Sequence, residues 1–298
     1  MDGVRIAAPA KINWTLEVLR IRPDGYHEIR SVMQTIDLYD VLTITPSHGI
    51  ELSYAGDPGV LHGIPVEEDL AYRAAVAYFD RTSVAGSVHI ELEKAIPVAA
   101  GLGGGSSDAA AVLRGLNVLN SSRLNEGDLI ALASTIGSDV PFFTVGGTAA
   151  VAGRGEIVEA LADAVAPPLL LCTPPPGERA NKTGAMFSAL DAAHFSDGYV
   201  TIGVRETVDA GRTITAASLS NVFERVTGRM QPETELALSA LRDQGFEPRL
   251  CGAGPSFYLL LDDAGATMSL IDRVRELEFE PRIVNALPRG DAVLFEEL

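Results

Sequence analysis

Four glycines and two serines occupy the stretch Pro97-Val98-Ala99-Ala100-Gly101-Leu102-Gly103-Gly104-Gly105-Ser106-Ser107-Asp108, just ahead of the helix-forming run Ala109-Ala110-Ala111-Val112-Leu113. Glycine lets the backbone take positive φ and approach a ligand closely. The first turn of a helix adds unpaired N–H groups at the positive end of its dipole. Together these make a cradle for phosphate. Two common phosphate loops can be tested by spacing. The dinucleotide fingerprint Gly-x-Gly-x-x-Gly fails, because its last position falls on Ser106 when counted from Gly101 and on Asp108 when counted from Gly103. The P-loop fails because no lysine follows these glycines. A flexible turn before a helix is the plain alternative, and three consecutive glycines with two serines are more than such a turn requires.

Phosphate chemistry needs a proton acceptor and a cation. Asp139, in Gly137-Ser138-Asp139-Val140-Pro141, follows an expected helix end and precedes a proline that stiffens the chain. Its carboxylate either accepts a hydroxyl proton or caps the turn before Pro141. Lys11, in Ala8-Pro9-Ala10-Lys11-Ile12-Asn13, enters a strand. It is either an exposed strand lysine or the cation that stabilises an incipient alkoxide and keeps a neighbouring carboxylate ionised. Asn13, two residues on, shares its strand face. Only Lys11, Lys94 and Lys182 among the 23 basic residues are lysine. The chain favours arginine generally, and a compact ammonium does work that a planar guanidinium cannot copy. Tyr26 and His27 follow the turn Pro23-Asp24-Gly25. They offer a stacking surface and a hydrogen-bonding edge, which suit a pyrimidine; an aromatic that packs after a turn is the rival reading.

The elements that must position these residues show in the periodicity. Strands are expected at Val4–Ala8, Trp14–Val18, Val41–Ile44, Val88–Leu92, Gly147–Ala152 and Ser256–Leu261, and helices at Leu70–Phe79, Ser106–Leu119, Glu233–Gln244 and Ala266–Leu277. Asp128 reads as the N-cap of a further helix ending near Gly137. In the Ser106–Leu119 helix, Ala109, Val112, Leu113, Leu116 and Leu119 share one face. The pattern breaks around Val165-Ala166-Pro167-Pro168 and again at Thr173-Pro174-Pro175-Pro176-Gly177, so a change of domain is expected in the 155–168 region. Mixed, non-alternating elements argue an α+β fold.

With 298 residues and 47% hydrophobic residues the chain can bury a full core. No run of eighteen apolar residues predicts a membrane span, and the first residues lack a signal-peptide pattern. Two cysteines, Cys172 and Cys251, cannot build a disulfide framework. These features suit the cytoplasm. A net charge of −17 argues against a nucleic-acid partner and requires local cations around any anionic substrate.

Pro97 to Ser107 and the alanine-rich helix resemble the ATP loop of the galactokinase, homoserine, mevalonate and phosphomevalonate (GHMP) kinases. Ala8-Pro9-Ala10-Lys11-Ile12-Asn13 resembles that family's first motif, and Cys251-Gly252-Ala253-Gly254-Pro255-Ser256 its third. Arg22-Pro23-Asp24-Gly25-Tyr26-His27-Glu28, Gln34-Thr35-Ile36-Asp37-Leu38 and Gly137 to Phe143 are similar to the branch that phosphorylates an alcohol carried on cytidine diphosphate, cytidine diphosphate methylerythritol. The likeness runs from about residue 5 to residue 260. It implies a two-domain fold: an N-terminal domain like the second domain of ribosomal protein S5 over 1–160, which binds ATP, and a ferredoxin-like domain over 161–298. It further implies ATP with Mg2+ as the phosphoryl donor, without a dedicated metal site.

On this resemblance Asp139 is the catalytic base, assisted by Lys11. Pro97, Gly101, Gly103, Gly104, Gly105, Ser106 and Ser107 hold the nucleotide phosphates, with the Ser107 hydroxyl available to phosphate or magnesium. Lys94 lies near the adenine. Asn13 orients the acceptor hydroxyls, Tyr26 and His27 read the cytosine, Phe187 is its second aromatic neighbour with Thr183 nearby, and Gly252 and Gly254 back the diphosphate. The chain departs from the family pattern at Asp69, where asparagine is usual near the adenine, and at Cys251 and Ala253, where serines are usual. A homoserine or mevalonate kinase of the same family is the near alternative, disfavoured by Asp24-Gly25-Tyr26-His27. A non-catalytic nucleotide-binding module is the alternative outside enzymes.

Overall fold

The computed structural model describes residues 3–56, 63, 65–175, 182–261 and 267–298. Its spine is an antiparallel ribbon of β1 (Val4–Ile21) and β2 (His27–Pro46). Two separate strands, Val4–Ala8 and Trp14–Val18, were expected over the first of these. The chain instead stays extended, because its register with β2 shifts between Pro9 and Ala10. A bulge is where a strand tolerates a residue that lacks a ladder donor. Further shifts at Asn13/Thr15 and Val18/Arg20 bend the ribbon.

The remaining elements of the first sheet build on that ribbon. β3 (Ile50–Tyr54) pairs in parallel with β4 (Val88–Glu93), and β4 pairs with the far half of β2. The near half of β2 pairs with β5 (Thr148–Gly153), which pairs with β6 (Ile157–Ala160). Between β3 and β4 runs α1 (Leu70–Thr82). Between β4 and β5 run α2 (Gly104–Leu119), α3 (Glu126–Ile136) and α4 (Val140–Val145). α2 is buried continuously from Ser107 to Leu113, more than one amphipathic face, since it packs on the sheet as well as on α1 and α4. Its alanines permit that close approach. The N-cap of α3 is Asn125, not Asp128: the Asn125 side chain accepts the Asp128 N–H at 2.9 Å, which places Asp128 inside the first turn.

The second sheet has the order β11-β7-β10-β9, with β7 (Leu169–Thr173), β9 (Arg249–Leu250), β10 (Phe257–Leu260) and β11 (Glu280–Val284). The helices of this half of the chain are α5 (Lys182–Ser188), α6 (Tyr199–Asp209), α7 (Thr227–Met230), α8 (Pro232–Arg242), α9 (Thr267–Glu276) and α10 (Arg289–Ala292), of which α6 and α10 also reach the first sheet at β1. Pro232 opens α8 at a position where its missing N–H costs nothing. Two short strands return to the first sheet: β8 (Ser220–Asn221) pairs in parallel with Thr15–Leu16, and β12 (Phe295–Glu297) pairs with Val4–Ile6. Of the features expected from the sequence, Pro176, Gly177 and Ala266 lie outside the described residues. The two sheets meet at the site, where the Tyr258 hydroxyl donates to the Asn13 carbonyl at 2.9 Å and the Tyr258 ring meets Trp14 edge-on. No helix among the described residues is long and apolar enough to cross a membrane.

Candidate active site

Three walls converge on Lys11. The first is β1, whose register shifts bracket the segment carrying Lys11 and Asn13. Both side chains are about 95% covered, with 5% and 4% exposed, and Lys11 Nζ donates to Asn13 Oδ1 at 2.9 Å. The second is the start of α4, where Asp139 occupies the N-cap position without making a side-chain cap bond. Its carboxylate is therefore not spent on the turn. It stands 38% exposed, 3.9 Å from Lys11 Nζ.

The third wall is the glycine loop. Lys11 N–H donates to the Leu102 carbonyl at 2.9 Å, docking the loop on β1. Gly103 caps α2 at φ +74°, and the first helical bond comes from Ser107 N–H to Gly103 O. The N–H groups of Gly104, Gly105 and Ser106 thus precede the ladder and suit an anion. Gly101 can be nothing else: a Cβ there would lie 2.1 Å from the Cys251 carbonyl oxygen. The two glycine-rich loops touch backbone to backbone, and a Cβ on Gly252 would come within 3.0 Å of Lys11 Nζ. Asn221 Nδ2 ties the second loop by donating to Leu250 O and Gly252 O, both at 2.8 Å, and Gln231 Nε2 donates to Ala253 O at 2.7 Å. Cys251 and Ala253, where serines were expected, cost this loop little. Cys251 N–H donates to Ser256 O and its carbonyl accepts from Gly254 N–H, while its thiol is buried and pushed up to about 12 by desolvation.

Two residues expected at the nucleotide already have partners within the protein. The Ser107 hydroxyl is fully buried and donates to the Pro9 carbonyl at 2.7 Å, so it fastens α2 to β1 and is not free for phosphate or magnesium. The Lys94 ammonium, expected near the adenine, is bound between two buried carboxylates, Asp40 and Asp108, the latter at 2.6 Å. Asp40 also accepts the Ala95 and Ile96 N–H groups at 2.6 and 2.8 Å. The reason is charge: two carboxylates removed from water require a cation. This cluster grips both ends of the glycine loop, at Ala95–Ile96 before it and at Asp108 after it. Asp69 is likewise occupied locally. It caps α1 through the Ala71 N–H at 2.7 Å and accepts the Tyr54 hydroxyl.

Away from Lys11, Tyr26 is held by an Asx turn, its N–H donating to Asp24 Oδ1 at 3.1 Å, and its ring is about half exposed under the Arg154 guanidinium. His27 stacks on Phe187 with ring centroids 5.0 Å apart, and Phe187 meets Phe223 edge-on. At that spacing no base enters between His27 and Phe187, and Tyr26 keeps the open aromatic surface. Burial lowers the His27 pKa, which keeps the imidazole neutral, and its Nε2 is covered without a protein partner. A neutral imidazole offers one donor and one acceptor to a base edge. Thr183 is exposed on the first turn of α5; the side chain of Lys182 lies outside what is described.

The family description "GHMP kinases N terminal domain" matches residues 69–147. A 4-diphosphocytidyl-2-C-methyl-D-erythritol kinase of Exiguobacterium sibiricum is 38% identical over 287 residues, covering 95% of this chain and 97% of the relative. One of Symbiobacterium thermophilum is 39% identical, covering 95% and 100%. A crystal structure of 4-(cytidine 5'-diphospho)-2C-methyl-D-erythritol kinase superposes with a TM-score of 0.76 at 32% identity, over 95% of this chain and 100% of that one.

The chain belongs to the 4-diphosphocytidyl-2-C-methyl-D-erythritol kinase family of the GHMP kinases.

A homoserine kinase from Cytophaga hutchinsonii shares the GHMP kinase fold at the same TM-score of 0.76 but only 15% identity, which speaks for the fold alone. For a member of this kinase family the residues missed in the sequence are as telling as those found. Asp40, Ser31, Asn221 and Gln231 are buried polar side chains that hold the loops or Asn13 from elements remote in sequence. Their only signal was a polar residue at an inward position of an otherwise apolar segment.

Proposed function

We propose that this kinase transfers the γ-phosphoryl group of ATP to the 2-hydroxyl of 4-diphosphocytidyl-2-C-methyl-D-erythritol, in the non-mevalonate route to isoprenoid precursors. The observation that carries the reading is the placement of an uncapped, exposed Asp139 carboxylate 3.9 Å from the buried Lys11 ammonium, beside the glycine loop. Asp139 accepts the hydroxyl proton as the oxygen attacks. Lys11 stabilises the negative charge developing on that oxygen and on the transferring group. Asn13 orients the acceptor, and the N–H groups at the start of α2, on a loop running from Pro97, hold the triphosphate. Tyr26 supplies the stacking face for cytosine and the neutral His27 its edge contact, with Phe187 and Thr183 completing that end and Gly252 and Gly254 letting the diphosphate approach the backbone.

Magnesium fits this site as a passenger on the nucleotide. A small hard cation held through phosphate oxygens and water needs no protein cage. Carried on ATP, it neutralises charge at the transferring phosphoryl. We take residues 1–160 as the nucleotide-binding domain and 161–298 as the C-terminal domain, and place the enzyme in the cytoplasm. Its net charge of −17 suits a small-molecule substrate and not a nucleic acid.

The test is ATP consumption by the purified protein with 4-diphosphocytidyl-2-C-methyl-D-erythritol, homoserine, mevalonate and galactose offered separately. Turnover with the first alone is expected. Turnover with another instead cancels the cytosine assignment, and ATP binding without turnover on any of the four overturns the enzymatic reading.

A further inference from the structure

The Lys11 ammonium is held by a directed chain of hydrogen bonds that extends beyond its first partner. Lys11 Nζ donates to Asn13 Oδ1 at 2.9 Å, Asn13 Nδ2 donates to Ser31 Oγ at 2.9 Å, and Ser31 Oγ donates to the Thr15 carbonyl at 2.5 Å. Ser31 and Thr15 are fully buried, so water does not compete for these bonds. Thr15 is itself pinned, its hydroxyl oxygen accepting the Val32 N–H at 3.0 Å and the Thr201 hydroxyl of α6 at 2.9 Å.

The direction of each bond follows from a proton count. A serine hydroxyl has one proton. Ser31 gives it to Thr15, and toward Asn13 it can only accept. The Asn13 amide must therefore turn its NH2 group to Ser31, which leaves its carbonyl facing Lys11. Turned the other way, the NH2 group would oppose an ammonium with no acceptor between them, and the carbonyl would oppose the lone pairs of Ser31. One hydroxyl on β2 thus decides which end of Asn13 meets the catalytic cation.

We propose that Ser31 is a positioning residue for phosphoryl transfer, which acts through the orientation of Asn13 to hold Lys11 Nζ beside Asp139. The proposal rests on the kinase reading above. Ser31 lies beneath Asn13 and sets the geometry of Lys11 through it, and misplacement of a catalytic group by a fraction of an ångström is costly in rate.

The experiment is a double-mutant cycle read by steady-state kinetics with 4-diphosphocytidyl-2-C-methyl-D-erythritol and ATP. Ser31→Ala is expected to lower kcat about tenfold with KM for ATP within about twofold of wild type, since the glycine loop is untouched. In an Asn13→Ala background the same substitution is expected to cost nothing further, because the group it orients is gone. A purely structural role would lower kcat equally in both backgrounds, and that result overturns the proposal, as does a wild-type kcat in the single variant. Where the alanine variant does not fold, Ser31→Cys carries the same test, its thiol filling the space with only a weak acceptor. Wild-type enzyme is measured alongside. Its silence on the acceptor would overturn the kinase reading and this proposal together, whereas normal wild-type turnover with additive losses overturns this proposal alone.

Discussion

Two lysines anchor the surroundings of the same glycine loop, Lys11 buried and Lys94 half-buried, and they are employed in opposite ways. The Lys94 ammonium is enclosed by the carboxylates of Asp40 and Asp108. Lys11 spends one of its three N–H donors on a neutral amide and reaches its nearest carboxylate only at 3.9 Å. Lys94 directs two of its three N–H donors to these carboxyl groups and so holds the loop. Lys11 is under-supplied with negative charge, which suits the role proposed for it beside an oxyanion. The residue type is the same in both places; the partners differ, two carboxyl groups around Lys94 and a neutral amide beside Lys11.

The largest expected effect removes the carboxylate beside Lys11 that is proposed as the base. Asp139→Asn should fold and bind ATP while kcat falls by about 10²–10⁴, the range for a lost general base; near-normal turnover would take Asp139 out of the mechanism. The next pair of variants tests the two lysines directly. Lys94→Met should lower the free energy of unfolding by about 3–5 kcal/mol, because it leaves two buried carboxylates without a cation. Lys11→Met should leave stability within about 1 kcal/mol and cost about 10²–10³ in kcat, as for a lost transition-state stabiliser. Denaturant titration and steady-state kinetics on both proteins would erase the distinction if the two losses came out alike.

The smallest effect is a pH dependence. Burial pushes the Asp108 carboxyl up to about 8 against the pull of Lys94. A group whose folded pKa lies above its unfolded value contributes stability that is fully present below the unfolded value and is lost as pH rises through the folded one. Thermal stability of the wild type should therefore decline from the ordinary carboxylate range up to pH 8 relative to Asp108→Asn, which lacks the titrating group. Parallel curves for the two proteins would show that Asp108 does not titrate in that window.

How far the chain could be read without its structure depended on how local the physics was. The glycine loop, the Asp139 turn and the Lys11 segment declare themselves because their geometry is set by neighbours in sequence. Ser107 was misread because the carbonyl that takes its proton, on Pro9, lies 98 positions away. The partners of Lys94 were out of view for the same reason: Asp40, one of the carboxyl groups that claim it, arrives from another strand. The strands expected at Val4–Ala8 and Trp14–Val18 are one strand, β1, with a register shift after Pro9. Ser31 carried only the faint signal of a polar residue at an inward strand position, which does not show that it orients an asparagine.

The pairing of Val4–Ile6 with Phe295–Glu297 has a consequence for synthesis. A ribosome makes about 5–20 residues per second, so β1 emerges roughly 15–60 seconds before the strand that covers its outer border. For that interval the nascent chain presents an unpaired backbone margin, open to any passing extended segment. A holdase that shields this margin would raise the yield of active enzyme more than one that attends to the second sheet, whose strands are all made within the later half of translation.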